Sequence, residues 1–228
     1  MYKRQVNGLY YGKGAKGSVR YCIFKENKCA QLGVKGKGRV EVYEGLLHNG
    51  PGIGFFCIDQ GDALLQFCSI DHHVGVGVLI DQKSQCSLSY CSITHGTQWG
   101  LYAAEAHSLK LYSCFLKGNT KAQALFTQTY IDAQYLHVSQ GQVGCMFSHC
   151  TGRLKGVRSM YLEKAHILME GDPKDLQPFA RLSWVDELNQ LSLDSSKSDL
   201  ESSSLFSFIL DHALHSLCLL YTSPSPRD

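Results

Sequence analysis

The chain has 228 residues, 44% of them hydrophobic and 18% charged, with a formal net charge of +2, a composition that fits one main globular domain. So small and evenly spread a charge gives no electrostatic footprint for nucleic acid, and no such partner is expected. The longest apolar runs, such as Val74 to Ile80, fall far short of the ~20 residues of a bilayer crossing, so no membrane association is expected either.

Taken in chain order, residues 1–5 (Met-Tyr-Lys-Arg-Gln) and 218–228 at the opposite end resemble translated transposon-derived adaptors of the kind used to prepare sequencing libraries. Both are set aside as read-through, and the chain between them is expected to be an internal piece of a longer protein. Next comes Tyr11-Gly-Lys-Gly-Ala-Lys-Gly-Ser18, which suggests a phosphate cradle. No helical pattern follows it, and the similar Gly-Lys alternation from Gly33 to Gly38 argues for coil turns in both places.

From there a repeat takes over. Cys22, Cys68, Cys91 and Cys114 fall on one 23-residue grid, with Gly45 and His137 on the remaining points. Val19, Val42, Leu65, Leu88 and Leu111 form an apolar column three residues before them, and Phe24, Leu47, Ile70, Ile93 and Leu116 another two residues after. A second segment in each coil alternates as Ala30-Leu32-Val34, Ile53-Phe55-Cys57, Val76-Val78-Ile80 and Trp99-Leu101-Ala103, the period of a strand with one buried face. Gly54, Gly77 and Gly100 share a column where a missing side chain permits close backbone approach or a local bend.

A fixed period of this size means that each unit stacks on its neighbours to bury its apolar face. No coil contains ten residues of helical periodicity, and the Leu-x-x-Leu-x-Leu pattern of leucine-rich repeats is absent. The spacing therefore predicts an all-β chain. Its main domain is a right-handed, single-stranded parallel β-helix over residues 6–170, most regular over 17–152, with about six 23-residue coils rising ~4.8 Å each.

Two runs carry a resemblance: Leu65-Gln-Phe-Cys68-Ser-Ile70 continuing to Gly75-Val-Gly-Val78, and Leu88-Ser-Tyr-Cys91-Ser-Ile93 continuing to Gly100-Leu-Tyr. The pattern resembles the coils of the pectin-lyase-like parallel β-helices. Its cysteine-bearing form is similar to non-catalytic eukaryotic members, including β-helical F-box proteins and the Shc SH2-domain-binding protein family. The resemblance implies a scaffold that offers a rigid face to a protein partner, in ubiquitin ligation or signalling.

The cysteine column is expected to be a ladder of thiols inside the coils, where small, soft side chains pack well. Neighbouring rungs are close enough for disulfides, but so many cysteines in one column suit a reducing compartment, and a cytoplasmic location is expected. Zinc ligation by Cys145, His149 and Cys150 with His137 is weighed and set aside, since paired Cys-x-x-Cys elements are missing. His137 is instead expected to be buried and hydrogen-bonded at its ladder point. His72 and His95, in one column with Glu26 and Asn49, are expected to line an exposed ridge of turns.

An enzymatic β-helix acting on acidic polysaccharide needs clustered carboxylates for calcium or for acid–base work. Asp59, Asp62, Asp71 and Asp81 occupy different points of the repeat and are not expected to converge. Polygalacturonase-type boxes, a phosphate-binding loop and a nucleophile elbow are also absent. No catalytic, cofactor-binding or metal-ligating residue is assigned, and no cofactor is expected. Two alternatives to the scaffold stay open. One is a carbohydrate-active lyase or hydrolase, marked by convergence of those aspartates on one groove; the other is a secreted structural or adhesion β-helix, marked by oxidised cysteine pairs.

After Gly152 the grid decays, with Val157 to Leu168 supplying one last irregular coil. Residues 171–191 are expected to cap it, through a short amphipathic helix bearing Phe179, Leu182, Val185 and Leu188 and a capping box of Ser183 and Asp186. The same helix would also suit docking around Trp184, but an uncovered last coil exposes strand edges, which favours capping. Residues 192–204 read as a Ser-rich linker, and 205–217 as the start of a truncated helical module.

Overall fold

Short alternating strands cannot bury an inward face alone, so their fold is a matter of how they stack. In the computed structural model, which describes residues 7–170, they form twenty strands, with no helix among the described residues. All the pairings are parallel, as expected when each coil lies on the next.

Each coil contributes one strand to each of three faces. The first face is built by Asn7–Tyr11, Ala30–Lys35, Ile53–Ile58, Val78–Ile80, Trp99–Ala104 and Ala122–Thr127. The second is the seven-stranded sheet of Lys16–Arg20, Arg39–Tyr43, Asp62–Gln66, Gln85–Ser89, Ser108–Tyr112, Tyr130–Gln134 and Thr151–Lys155. The third holds the short strands Ile23–Lys25, Leu46–His48, Ser69–Asp71, Ser92–Thr94 and Phe115–Lys117. Two long strands, His137–Ser148 and Arg158–Glu170, run round the corner from the third face to the first and join those faces into one 13-stranded sheet. Seven coils result, the last being the irregular one expected from Val157 onward.

Register explains where the repeat holds and where it fails. Lys16 pairs with Arg39, Arg39 with Asp62, Asp62 with Gln85 and Gln85 with Ser108, a constant step of 23. Leu109 then pairs with Ile131 and Ala122 with Val143, steps of 22 and 21. The turn Glu105-Ala106-His107 has become Gln128-Thr129, and the four residues from Gly118 to Lys121 have become Gln140-Gly141-Gln142. The grid thus shortens from Gln128, well before Gly152.

This shortening corrects the expectation for His137. One lost residue moves everything after it by one place, and in a strand that turns an inward position outward. Leu136 takes the ladder point at 1% exposure, followed by Val157 in the next coil. His137 pairs instead with Phe115 and lays its ring against it, centroids 5.0 Å apart.

The interior is a set of apolar columns parallel to the axis. Val42, Leu65, Leu88 and Leu111 stack in one and Leu47, Ile70, Ile93 and Leu116 in another, as the spacing predicts. Burial of each such side chain contributes about 1.5–3 kcal/mol. A third column runs Val34, Cys57, Ile80, Ala103, Phe126, Phe147, in which the two phenylalanine rings stack at 5.0 Å. The glycine column also behaves as expected: a Cβ on Gly54 would lie 2.5 Å from Gly77 O, and one on Gly77 2.6 Å from Gly100 O. The expectations for the ends, namely the read-through segments, the capping helix with Trp184, the Ser-rich linker and the helical module, lie outside the described residues.

Candidate functional site

The corner between the second and third faces is made by two residues in every coil, and both have a consistent job. The first adopts the left-handed conformation, with φ of 53° at Tyr21, 52° at Glu44, 54° at Phe67, 55° at Tyr90, 49° at Ser113 and 57° at Tyr135. Such a conformation is costly for a residue with a Cβ. It is offset because the strand ladder continues through the bend, as in Glu44 N–H to Gln66 O at 3.0 Å and Phe67 N–H to Ser89 O at 3.0 Å. The second residue of the pair then points inward, and it is the one the cysteine column occupies.

The thiol ladder is present at Cys68, Cys91 and Cys114, which are buried and free, whereas its expected first member, Cys22, is only half-buried in the first coil. Cys91 Sγ lies 3.5 Å from Leu65 O and 3.4 Å from Ser89 O, and Cys114 Sγ 3.4 Å from Leu88 O and 3.5 Å from Tyr112 O. Each S–H is thus shared between a carbonyl of its own coil and one of the coil below. Hydrogen bonding to Cys68, then burial, hold the Cys91 thiol well above the ordinary thiol range. Burial pushes Cys57 and Cys145 up to about 12. A neutral, buried thiol is a poor nucleophile and a poor metal ligand.

Outside the same corner stands a column of aromatic rings that the sequence reading did not single out. Tyr21 is 74% exposed, Phe67 56%, Tyr90 50% and Tyr135 49%. Phe67 and Tyr90 stack face to face, centroids 5.0 Å apart and planes within 3°. Ser113 has no ring to add, and Tyr112, one residue earlier, fills the place edge-on between Tyr90 at 5.4 Å and Tyr135 at 5.8 Å. Nearby, the Arg20 guanidinium lies over the Tyr43 ring at 4.8 Å. The signal was in the sequence as an aromatic-cysteine dipeptide at Tyr21-Cys22, Phe67-Cys68 and Tyr90-Cys91.

The column is broken in the second coil, where Glu44 and Gly45 replace the aromatic and the thiol. There a hollow of about 470 Å³ opens, lined by Glu44, Gly45, Leu46, Phe67 and Ser69. A second hollow, of about 430 Å³, lies on the third-to-first corner among Gly118, Asn119, Thr120, Gln140, Tyr161 and Glu163.

The remaining candidates fall apart in space. Asp62 begins a second-face strand and faces Arg39 at 3.6 Å. Asp59 and Asp81 sit at the first-to-second corner, where burial raises the Asp81 carboxyl above its usual range despite a bond from Gln82 N–H. Asp71 is at the end of a third-face strand, 3.6 Å from His72. The four carboxylates therefore do not share one groove. Cys145 lies inside the first face and Cys150 inside the first-to-second corner, while His149 turns outward to Ser148 Oγ at 2.9 Å and His137 packs on Phe115. Among the described residues no group of three His, Cys, Asp or Glu side chains is placed to hold a metal ion.

His72 and His95 do stack on the exposed ridge expected of them, centroids 5.0 Å apart. Of the first Gly-Lys stretch only Gly12 to Ala15 forms a turn, closed by Ala15 N–H to Gly12 O at 3.0 Å, since Tyr11 ends one strand and Lys16 begins the next. Of the second stretch only Gly36 to Gly38 forms a turn, since Gly33 lies inside the strand Ala30–Lys35 against the Phe56 ring.

Comparison with known proteins bears on the fold. The profile of the family described as "Right handed beta helix region" matches residues 2–151. Among solved structures, the A-module of the Azotobacter vinelandii mannuronan C-5 epimerase AlgE6 is similar, with a TM-score of 0.56 at 12% identity, over 74% of this chain and 55% of that one. ORF18 of Geobacillus virus E2 matches with a TM-score of 0.32 at 10% identity, over 72% and 52%. The chain thus spans about half the length of the two solved chains it matches. Comparison with curated protein sequences yields no match.

Proposed function

We propose that this chain, which belongs to the right-handed β-helix family, is a non-catalytic scaffold that docks a protein partner along the aromatic ridge of its second-to-third corner. The observation that carries the reading is the ridge itself: exposed rings on the outside of a rigid, thiol-packed corner. Tyrosine supplies a large contact area and a hydrogen-bonding hydroxyl at little entropic cost, which is why aromatic residues concentrate at protein interfaces. Recruitment in ubiquitin ligation or signalling extends this reading on resemblance alone. The buried free thiols suit a reducing compartment.

The ring geometry favours protein over polysaccharide. A sugar stacks on an open aromatic face, but Phe67 and Tyr90 spend a face on each other, and Tyr112 abuts Tyr90 and Tyr135 edge-on. From Tyr90 to Tyr135 the ridge offers mainly ring edges and hydroxyls, the outer face of Phe67 being left open.

The test is site-specific photo-crosslinking in cells that express the full chain, with benzoylphenylalanine at Tyr112 or Tyr135 and, as control, at exposed Thr97 on another corner. Discrete protein adducts are expected from the two ridge positions, not from Thr97, and Tyr90→Ser should weaken them. Equal labelling at Thr97, or saturable binding or cleavage of polymannuronate or pectate by the purified chain, would overturn the scaffold reading.

A further inference from the structure

The gap in the aromatic column is a shallow depression with a definite lining. Phe67 gives one ring face to Tyr90, so its other face is turned along the axis toward the second coil, where the register places Glu44 in the next rung. Glu44 supplies a carboxylate where the other rungs supply a ring, and Gly45 and Leu46 floor the space that a ring would fill. That carboxylate has no ion-pair or hydrogen-bond partner among the described residues, whereas neighbouring Glu41 is engaged by Arg39 and by the Tyr43 hydroxyl. The Arg20 guanidinium, in the preceding coil, is occupied with Tyr43.

We infer that the hollow at Glu44, Gly45, Leu46, Phe67 and Ser69 receives an arginine side chain of the docked protein partner, whose guanidinium completes the aromatic column. The hollow asks for a planar group that stacks on the free face of Phe67 and for a positive charge beside Glu44. Guanidinium meets both demands: it is flat, weakly hydrated, stacks on aromatic faces and bonds carboxylates through two parallel N–H groups. Lysine would satisfy the charge alone. The chain already uses the same pairing one step away, where Arg20 covers Tyr43. Leu46 and the Gly45 backbone provide an apolar floor for the methylenes of the side chain, and the Ser69 hydroxyl, which already accepts from Ser92 Oγ at 3.2 Å, lines the hollow with a second lone pair as a further acceptor.

This assignment rests on the ridge being a protein-docking face, and its test is arranged to fail separately. The full chain, labelled with nitrogen-15, is titrated with the capped tripeptides Gly-Arg-Gly, Gly-Lys-Gly and Gly-citrulline-Gly while its amide spectrum is recorded. Citrulline keeps the plane and loses the charge; lysine keeps the charge and loses the plane. Saturable shifts are expected at Gly45, Leu46, Phe67 and Ser69 with a millimolar dissociation constant, and the arginine peptide should bind at least about threefold more tightly than either control. Glu44→Gln should weaken it by about tenfold and Phe67→Leu by about threefold, with the spectrum elsewhere reporting that both variants are folded.

No saturable shift at the hollow sinks the assignment. So does lysine binding as well as arginine, or binding that persists in Glu44→Gln, or shifts confined to the acidic corner of Asp81 and Glu105. If crosslinks form at Tyr112 while the arginine peptide leaves the hollow untouched, the ridge stands and only the arginine assignment falls. If the peptide binds but no crosslinks form, the docking reading falls instead.

Discussion

Two corners of the same coils solve the same problem in opposite ways. At the second-to-third corner a left-handed residue is followed inward by a thiol, and the solution is repeated in three successive coils, at Cys68, Cys91 and Cys114. The third-to-first corner also turns on left-handed residues, Glu26, Asn49, His72 and His95, yet its interior is polar. Asn27 donates to Gln31 Oε1 in the first coil, and Asn119 donates to Gln123 Oε1 at 2.8 Å and to Ile93 O at 3.1 Å in the fifth. Between them His73 is buried, with Gly50 and Gly54 leaving room for its ring as Gly96 and Gly100 leave room for the Asn119 side chain. The thiol ladder is built of rungs that contact their like. The polar seam is built of long side chains that reach across neighbouring coils, and it works only because those coils carry glycine.

The difference predicts where the solenoid is brittle. Gly77→Ala puts a Cβ 2.6 Å from Gly100 O and 2.7 Å from Ile93 Cγ2, and the backbone atom cannot move without shifting a whole coil. Overpacking of this kind is expected to cost about 3 kcal/mol, read as a lowered urea midpoint. A loss under about 1 kcal/mol would show that the seam yields more easily than its geometry indicates.

The thiol corner should give way less. Cys91→Ala removes one Sγ, with its share of the core and its shared bond to Leu65 O and Ser89 O, for an expected cost of about 2 kcal/mol in the same experiment. If Cys91→Ala proves the more damaging of the two, the ranking of the corners is reversed. The thiols would then be the feature on which the stack depends.

Those two corners also mark what could be seen in the sequence. The thiol ladder, the apolar columns, the Gly54-Gly77-Gly100 column and the His72–His95 stack were legible because like residues recur at one spacing and strand geometry converts spacing into contact. The polar seam lies on the same grid, since Asn27 and Gln31 are each 92 residues from Asn119 and Gln123. Four coils separate its matching members, however, and unlike residues stand between, so no column of one kind announces it. His137 was misplaced for a simpler reason: a turn lost one residue upstream, and a period read from residue types alone cannot register a deletion in a loop. The aromatic ridge was overlooked because burial patterns direct attention inward. The residue before each cysteine faces solvent only because the bend there is left-handed, a property that Tyr and Phe do not advertise.

The smallest expected effect is also the sharpest probe of the seam, because it isolates one proton. His73 Nε2 lies 3.0 Å from Leu47 O, and a carbonyl only accepts, so the hydrogen sits on Nε2 and Nδ1 is left as an unpaired acceptor. Burial lowers the His73 pKa below its ordinary value, opposed by the bond to Leu47 and by Asp71, and helped by His48 and His72. Since the unfolded chain takes up this proton first, the contribution of His73 to stability is full above about pH 6.5 and is lost as pH falls toward the folded-state value. Asn119 occupies the same column and donates to Ile93 O as His73 donates to Leu47 O, from 26 residues on in both cases. His73→Asn should therefore keep the bond and lose the titration. Melting temperatures at about pH 7.5 and about pH 5.5 are expected to fall in the native chain and to fall less in His73→Asn. An equal fall in both would move the sensitivity elsewhere. His137 would be the next candidate, its pKa lowered by burial and by Arg158, and the buried imidazole would then be a packing element of the seam with no bearing on its pH response.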